Sequence, residues 1–378
     1  MPNPPPLSVE AQLLTRCAAG AQVDPTNINW PRLVQLAARH KLQPLLYSTV
    51  GRSVAMPEDI RNALHANFLQ NAQLNLRLAG ELNSLLNLFK SRNILAVPFK
   101  GVSLAAAMYG NLSLRAAGDI DLLVPRSDIP AVSSILRNSG YLPDSPRTES
   151  DEARFLQSVY NYHLGFVHPQ TGIIVEPHWN VMPPYYSADL DHFVTACFSR
   201  LTQQDVCGIT APALADEDLL LILCVHANRH LWDRLSWLVD IAQLTRARPN
   251  LDWPNIDTTA HTIGQHRLLL IGLLLASQLA GAIVPNEILE KAQNSRPIRA
   301  LTAQVTSWLF ADTGAPTGLA GQTYLIRSMD RPRDRLTWIW HQTTSRLRSA
   351  LTAGPAHPAP PPPRPDAPDS SPPDFAKE

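Results

Sequence analysis

Apolar residues recur at three- and four-residue spacing through "LVQLAARHKLQPLLYSTV" and "IRNALHANFLQNAQLNLRLAGELNSLLNLFKSRN". That spacing puts them on one face of a helix, so residues 8 to 92 are read as helical. From residue 93 the pattern shortens. The runs "ILAVPF", "DIDLLV", "YHLGFVH" and "GIIVEPHW" are brief, and glycines, prolines and polar turns separate them. This is the texture of strands. The helical period returns at Asp216, a candidate N-cap followed by further acids, in "DEDLLLILCVHANRHLWDRLSWLVDIAQLTRA". The pattern predicts an α+β chain in four stretches: a helical segment over 1–92, a small mixed-sheet core over 93–210, a helical domain over 211–350 and a tail over 351–378. The tail carries ten prolines between Gly354 and Glu378 and is expected to be disordered, partly polyproline II.

The longest apolar run, Leu268 to Val284, is 17 residues and is broken by Ser277 and Gln278. A membrane-spanning helix needs about 20 apolar residues, so a buried helix ending at Pro285 is expected instead. Composition narrows the classes further. The 32 basic and 32 acidic side chains balance, which argues against wholesale electrostatic binding of nucleic acid. Cys17, Cys197, Cys207 and Cys224 form no CxxC pair, so neither a disulfide framework nor a structural zinc site is expected. With no basic and apolar leader in "MPNPPPLSVE", the expected location is the cytoplasm.

The chemistry concentrates in "FKGVSLAAAMYGNLSLRAAGDIDLLV", residues 99 to 124. Alternate residues of a strand share a face, so Asp119 and Asp121 project together from an otherwise apolar run. Adjacent carboxylates repel and are costly to bury. A hard divalent cation such as Mg²⁺ would offset that cost. A hydrated strand end is the other reading. A third acid, Glu176, ends the run "GIIVE", and a carboxylate there could join a metal site or take a proton from an attacking hydroxyl. Upstream, Lys100-Gly101 lies at a predicted strand-to-helix turn, where backbone N–H groups can meet phosphate. Ser103 could add a hydroxyl, and Lys100 a charge. Arg115 could grip phosphate with its guanidinium fork or pair with an acid. His178 shares a strand face with Glu176. His226 and His230 sit one helical turn apart, with Arg234 beyond. Without the glutamate of HExxH, a structural or substrate-facing role is expected for them rather than zinc binding.

Together these residues resemble the polymerase-β-like nucleotidyltransferase superfamily. More closely, "FKGVSL", "MYGNLSLRAAGDIDLLV", "VEPHWN" and "CVHANRHLWDRLSWLVDIAQL" are similar to a family of bacterial uncharacterised nucleotidyltransferases, over roughly residues 25 to 310. The chain departs from the superfamily pattern in carrying Lys-Gly-Val-Ser at the phosphate turn and Glu, not Asp, as third acid. The resemblance implies catalytic and Mg²⁺-binding roles for Asp119, Asp121 and Glu176. It implies a nucleotide contact for Lys100, Gly101, Ser103, Arg115 and Gly118. The implied reaction moves an NMP from an NTP, with ATP as the expected donor, to a hydroxyl-bearing acceptor and releases pyrophosphate. An RNA-modifying, toxin-like enzyme is one alternative, and the arginines between Arg327 and Arg348 are its support. A non-catalytic binding protein that keeps the fold is the other.

Overall fold

The structure is a computed structural model, and it describes residues 7–23, 25–145 and 148–352. The proline-rich stretch from residue 353 lies outside the described residues. The fold is α+β. Helices α1 (Val9–Ala18), α2 (Trp30–Arg39), α3 (Gln43–Val50) and α4 (Glu58–Lys90) open the chain. Strands β1 (Val97–Pro98), β2 (Asp119–Leu123), β3 (Leu142–Pro143), β4 (Phe166–Val167) and β5 (Ile174–His178) form one sheet in the order β1-β2-β5-β4-β3. Only β2 and β5 run parallel; the other pairs are antiparallel. Helices α5 (Gly101–Leu104), α6 (Ile129–Asn138), α7 (Glu149–Gln157) and α8 (Ala188–Cys197) lie between and after these strands. A hairpin of β6 (Thr202–Val206) and β7 (Ile209–Ala213) follows.

The chain then closes with α9 (Asp216–Arg229), α10 (Leu235–Ala247), α11 (Trp253–Thr262), α12 (His266–Ala280), α13 (Asn286–Asn294), α14 (Arg296–Leu309), α15 (Gly318–Ser328) and α16 (Pro332–Thr352).

Two hydrophobic cores organise these elements. In one, Leu78, Leu82 and Phe89 of α4 meet Ile120 and Leu122 of β2, Val175 of β5 and Ile135 of α6. The four- and three-residue steps along α4 turn those leucines toward the sheet. The alternation along β2 sends Ile120 and Leu122 into this core and leaves Asp119 and Asp121 for the opposite face. The larger core draws on both helical ends of the chain. Leu14, Leu33 and Leu46 from α1–α3 pack with Leu220, Ile241, Leu274 and Val305 from α9, α10, α12 and α14.

Local expectations need two corrections. Asp216 does not cap α9: Ala215 holds the cap position without a side-chain hydrogen bond, and Asp216 pairs with Arg248 at 2.9 Å. The apolar helix α12 stops at Ala280, before Pro285 is reached. Gly281 takes a left-handed φ of 67° there, and its N–H closes on the Ala276 carbonyl. Among the described residues no helix is long and apolar enough to cross a membrane.

α4 also positions the segment that feeds β2. The buried Asn75 side chain donates to the carbonyls of Leu112 (2.5 Å) and Arg115 (2.7 Å), and Asn71 donates to Ser113 (2.8 Å). Two amides on one helix face thus fix the turn before the Asp-Ile-Asp strand.

Candidate active site

The parallel register sets Asp121 beside Glu176. Paired positions on neighbouring strands project the same way, so these carboxylates share a face, and His178, two residues on, joins them. Ligand atoms of Asp121, Glu176 and His178 all lie within 4.8 Å of one another. His178 Nε2 is 3.0 Å from Asp121 Oδ1 and 3.3 Å from Glu176 Oε2. Lys100 Nζ comes to 2.8 Å from the same Asp121 Oδ1. Asp121 is only 3 % exposed, and its charge is held in place by Lys100 and the His178 ring.

The pKa shifts follow from this arrangement. Burial pushes the Asp121 carboxyl up, but Lys100 and the His178 hydrogen bond outweigh burial and hold it well below the usual carboxylate range. Burial likewise favours protonated Glu176, and the His178 hydrogen bond and charge again win, lowering it. His178 is correspondingly raised: burial opposes its charge, and its bonds to Asp121 and Glu176 favour it more strongly.

Asp119 is the exception. Among the described residues no hydrogen bond or ion pair reaches its carboxylate. Burial, the charge of Asp121 and that of Glu176 outweigh Lys100 and Arg115, and its pKa is pushed up from 3.8 to about 6. The acid pair therefore divides its roles: Asp121 is neutralised by the protein, and Asp119 carries the uncompensated charge.

Aromatic and imidazole rings wall the cluster. Phe99 meets His178 edge-on at 5.4 Å, and His163 stacks on it at 5.0 Å. Among the described residues the buried Nδ1 atoms of His178 and His163 have no hydrogen-bond partner.

Two residues expected at phosphate are engaged elsewhere. Arg115 forms a buried fork with Asp240 of α10, Nε to Oδ1 at 2.8 Å and Nη2 to Oδ2 at 3.0 Å. Its Nη1 donates to the Gly101 carbonyl at 3.1 Å, and Tyr109 donates to the same Asp240 at 2.6 Å. Arg115 thus ties the Gly101 turn to α10, because a buried guanidinium needs a carboxylate close by. Ser103 is 1 % exposed, and its hydroxyl donates to the Lys100 carbonyl at 2.8 Å. The hydroxyl contact to phosphate expected of it is replaced by a bond that closes the first turn of α5.

Gly101 is explained by packing: its φ is 58°, and a Cβ there would stand 2.8 Å from the Asp119 carbonyl oxygen. Only glycine allows the Lys100 turn to lie this close to β2. Gly118 is exposed, with open space where a side chain would go.

His226 and His230 lie 4.9 Å apart, and both rings rest near Trp237. Burial, then the charge of Lys100, drives His226 well below its usual value; burial, then Arg229, lowers His230 to about 4. They join no metal-binding group among the described residues. Arg234 sits over the Trp237 ring at 5.6 Å. Sequence reasoning missed Tyr162, His163 and Arg229. Arg229 was within reach, because it follows His226 by three residues on the same helix face.

An Asp-x-Asp strand in a small mixed sheet, with a third acid in register beside it, marks the class as nucleotidyltransferase. Residues 26–281 match the family model described as uncharacterised nucleotidyltransferase, and the chain belongs to that family. No curated protein shows a significant match to it.

Proposed function

We propose that the protein is a Mg²⁺-dependent nucleotidyltransferase that moves an NMP from an NTP, with ATP as donor, to a hydroxyl-bearing acceptor. The observation that carries this reading is the Asp119 carboxylate, which no hydrogen bond or ion pair reaches among the described residues and whose pKa is raised by burial and by the charges of Asp121 and Glu176. It stands next to the close group of Asp121, Glu176 and His178, which does not include it. Asp121 and Glu176 are bonded by the His178 ring and Asp121 also by Lys100, and the acid left over, Asp119, has a raised pKa. The donor set fits a hard cation: Asp119 is free, and both partners of Asp121 fall on Oδ1. Asp119, Asp121 and Glu176 would hold the ion. When bound, Mg²⁺ supplies charge neutralisation for the triphosphate and the departing pyrophosphate.

The chain's own groups account for the rest. Glu176 accepts the proton of the acceptor hydroxyl. The oxygen forms a bond to the α-phosphorus as the bond from that phosphorus to the β-phosphate bridging oxygen breaks, and pyrophosphate leaves. Lys100 adds positive charge, and Gly118, with open space where a side chain would go, leaves room beside the strand for the phosphates. Positioning and preorganised charge supply the rate enhancement.

A second reading, a binding protein that keeps the fold, draws support from Lys100 and His178, which already neutralise Asp121. The two separate in a thermal titration. Under the catalytic reading an NTP stabilises the wild-type protein in Mg²⁺ and not in EDTA, and Asp119→Asn loses the effect. At a hundredfold excess over Kd the gain is about 2.7 kcal/mol. No metal-dependent stabilisation by any of the four NTPs contradicts the catalytic reading.

A further inference from the structure

With Arg115 locked onto Asp240, the phosphate chemistry of the site needs another guanidinium. We infer that Arg229, with Arg234 beside it, forms an anion subsite for a phosphate group of a substrate; the inference rests on the nucleotidyl-transfer reading above.

Both guanidinium groups lack a counter-charge: among the described residues neither Arg229 nor Arg234 pairs with a carboxylate. The acid between them in sequence, Asp233, turns away: it pairs with Arg39 at 3.4 Å and accepts from the Ala315 N–H at 2.8 Å. Arg229 instead lies over the Tyr162 ring at 4.5 Å. That ring is 4.4 Å from His163 and 5.8 Å from His178, whose Nε2 touches both Asp121 and Glu176. A chain of contacts through the Tyr162 ring and the His178 imidazole therefore runs from Arg229 to the carboxylates of Asp121 and Glu176. Arg229 also hydrogen-bonds the Tyr162 hydroxyl, and a guanidinium carries five N–H donors, so others are left for a contact to phosphate.

The corner that presents these side chains is built at a cost. Leu231 and Trp232, between α9 and α10, both take left-handed φ values, 56° and 58°. Neither is glycine, so each is strained. The conformation is held by the fully buried Trp232, whose Nε1 donates to Asn228 Oδ1 at 3.2 Å, and by the Leu231 carbonyl, which accepts from Trp308 Nε1 at 2.9 Å. A plain helix end would not need this. The sharp corner brings Arg229, the last residue of α9, and Arg234, which precedes α10, to the same end of the two helices.

The phosphate has two sources, the tail of the NTP or a phosphate on the acceptor, and binding experiments on the full chain tell them apart. Pyrophosphate is the probe, titrated in EDTA. Wild type is expected to bind it with strong salt dependence. Arg229→Gln should weaken it at least tenfold, Arg229→Lys should recover part of the loss, and Arg234→Gln should give a smaller loss. Asp119→Asn should bind pyrophosphate at least as well as wild type, because it removes a nearby negative charge. If the NTP supplies the phosphate, pyrophosphate competes with a non-hydrolysable NTP, and Arg229→Gln weakens NTP without affecting NMP. If the acceptor supplies it, pyrophosphate still binds the NTP-saturated protein. No pyrophosphate binding by wild type, or unchanged affinity in both folded Arg229 variants, overturns the subsite. Loss of Mg²⁺–NTP binding by wild type, with pyrophosphate binding intact, overturns the nucleotidyl-transfer reading instead.

Discussion

Asp119→Asn isolates the charge that the metal-free protein leaves uncompensated. The Asp119 pKa rises from 3.8 to about 6 on folding, chiefly through burial and the neighbouring Asp121. At about 1.4 kcal/mol per tenfold change in proton affinity, the ionised form costs about 3 kcal/mol in the folded state. The sign follows from proton counting. Below pH 3.8 the acid is protonated in both states and contributes nothing. Between there and about pH 6 the folded protein keeps a proton that the unfolded chain has lost, so stability falls as pH rises. Above that window the full cost stands.

Asparagine keeps the shape and removes the charge. In EDTA the variant should match wild type near pH 4 and exceed it by about 3 kcal/mol near pH 7.5. Urea unfolding of both proteins across that range reads the difference, to which the neighbouring Asp121 and Glu176, whose charges act on Asp119, also respond. Mg²⁺ should stabilise wild type and leave Asp119→Asn unmoved. A difference that does not change with pH, or a variant less stable at pH 7.5, refutes the argument that Asp119 lacks a partner.

Asp121→Asn should behave in the opposite way, although the two acids sit two residues apart: it strands Lys100 and His178, and denaturant midpoints should show a loss of about 3–5 kcal/mol. Unchanged stability would mean that the Lys100 pair does not form in solution. Asp240→Asn leaves the buried Arg115 without its fork partner and should cost a similar 3–5 kcal/mol by the same assay, with Gly101 loosened as well. Gly101→Ala must accept a positive φ and a Cβ 2.8 Å from the Asp119 carbonyl, so thermal melts should show a loss of about 1–3 kcal/mol. A variant as stable as wild type would mean that the turn stands farther from β2.

The Asp-x-Asp strand was legible because two carboxylates in an apolar run have few structural uses. The neighbouring acid was legible because Glu176 ends a second apolar run. Their register was not, because which strands pair, and in which direction, depends on the chain between them. The α+β texture could be read from the change of hydrophobic period near residue 93. The sharing of one core by α1–α3 and α9–α14 could not, because periodicity gives a helix its buried face and not its partner. Arg115 and Ser103 show the same limit at single residues. Both have the chemistry to bind phosphate, and a partner 125 positions away in sequence, Asp240, claims the first. The carbonyl of Lys100 claims the second. Local sequence shows what a side chain can bind, and the fold decides what it meets first.

The central claim, that the acids around Asp119 serve nucleotidyl transfer, is tested most directly by following label from an NTP into acceptor material. The protein is incubated with a cell extract, Mg²⁺ and each NTP labelled at the α- or the γ-phosphorus. The account predicts that α-label becomes attached to an acceptor, γ-label leaves as pyrophosphate, and both outcomes vanish in EDTA and in Asp119→Asn. Transfer of γ-label, or α-label transfer that persists in Asp119→Asn, would contradict it.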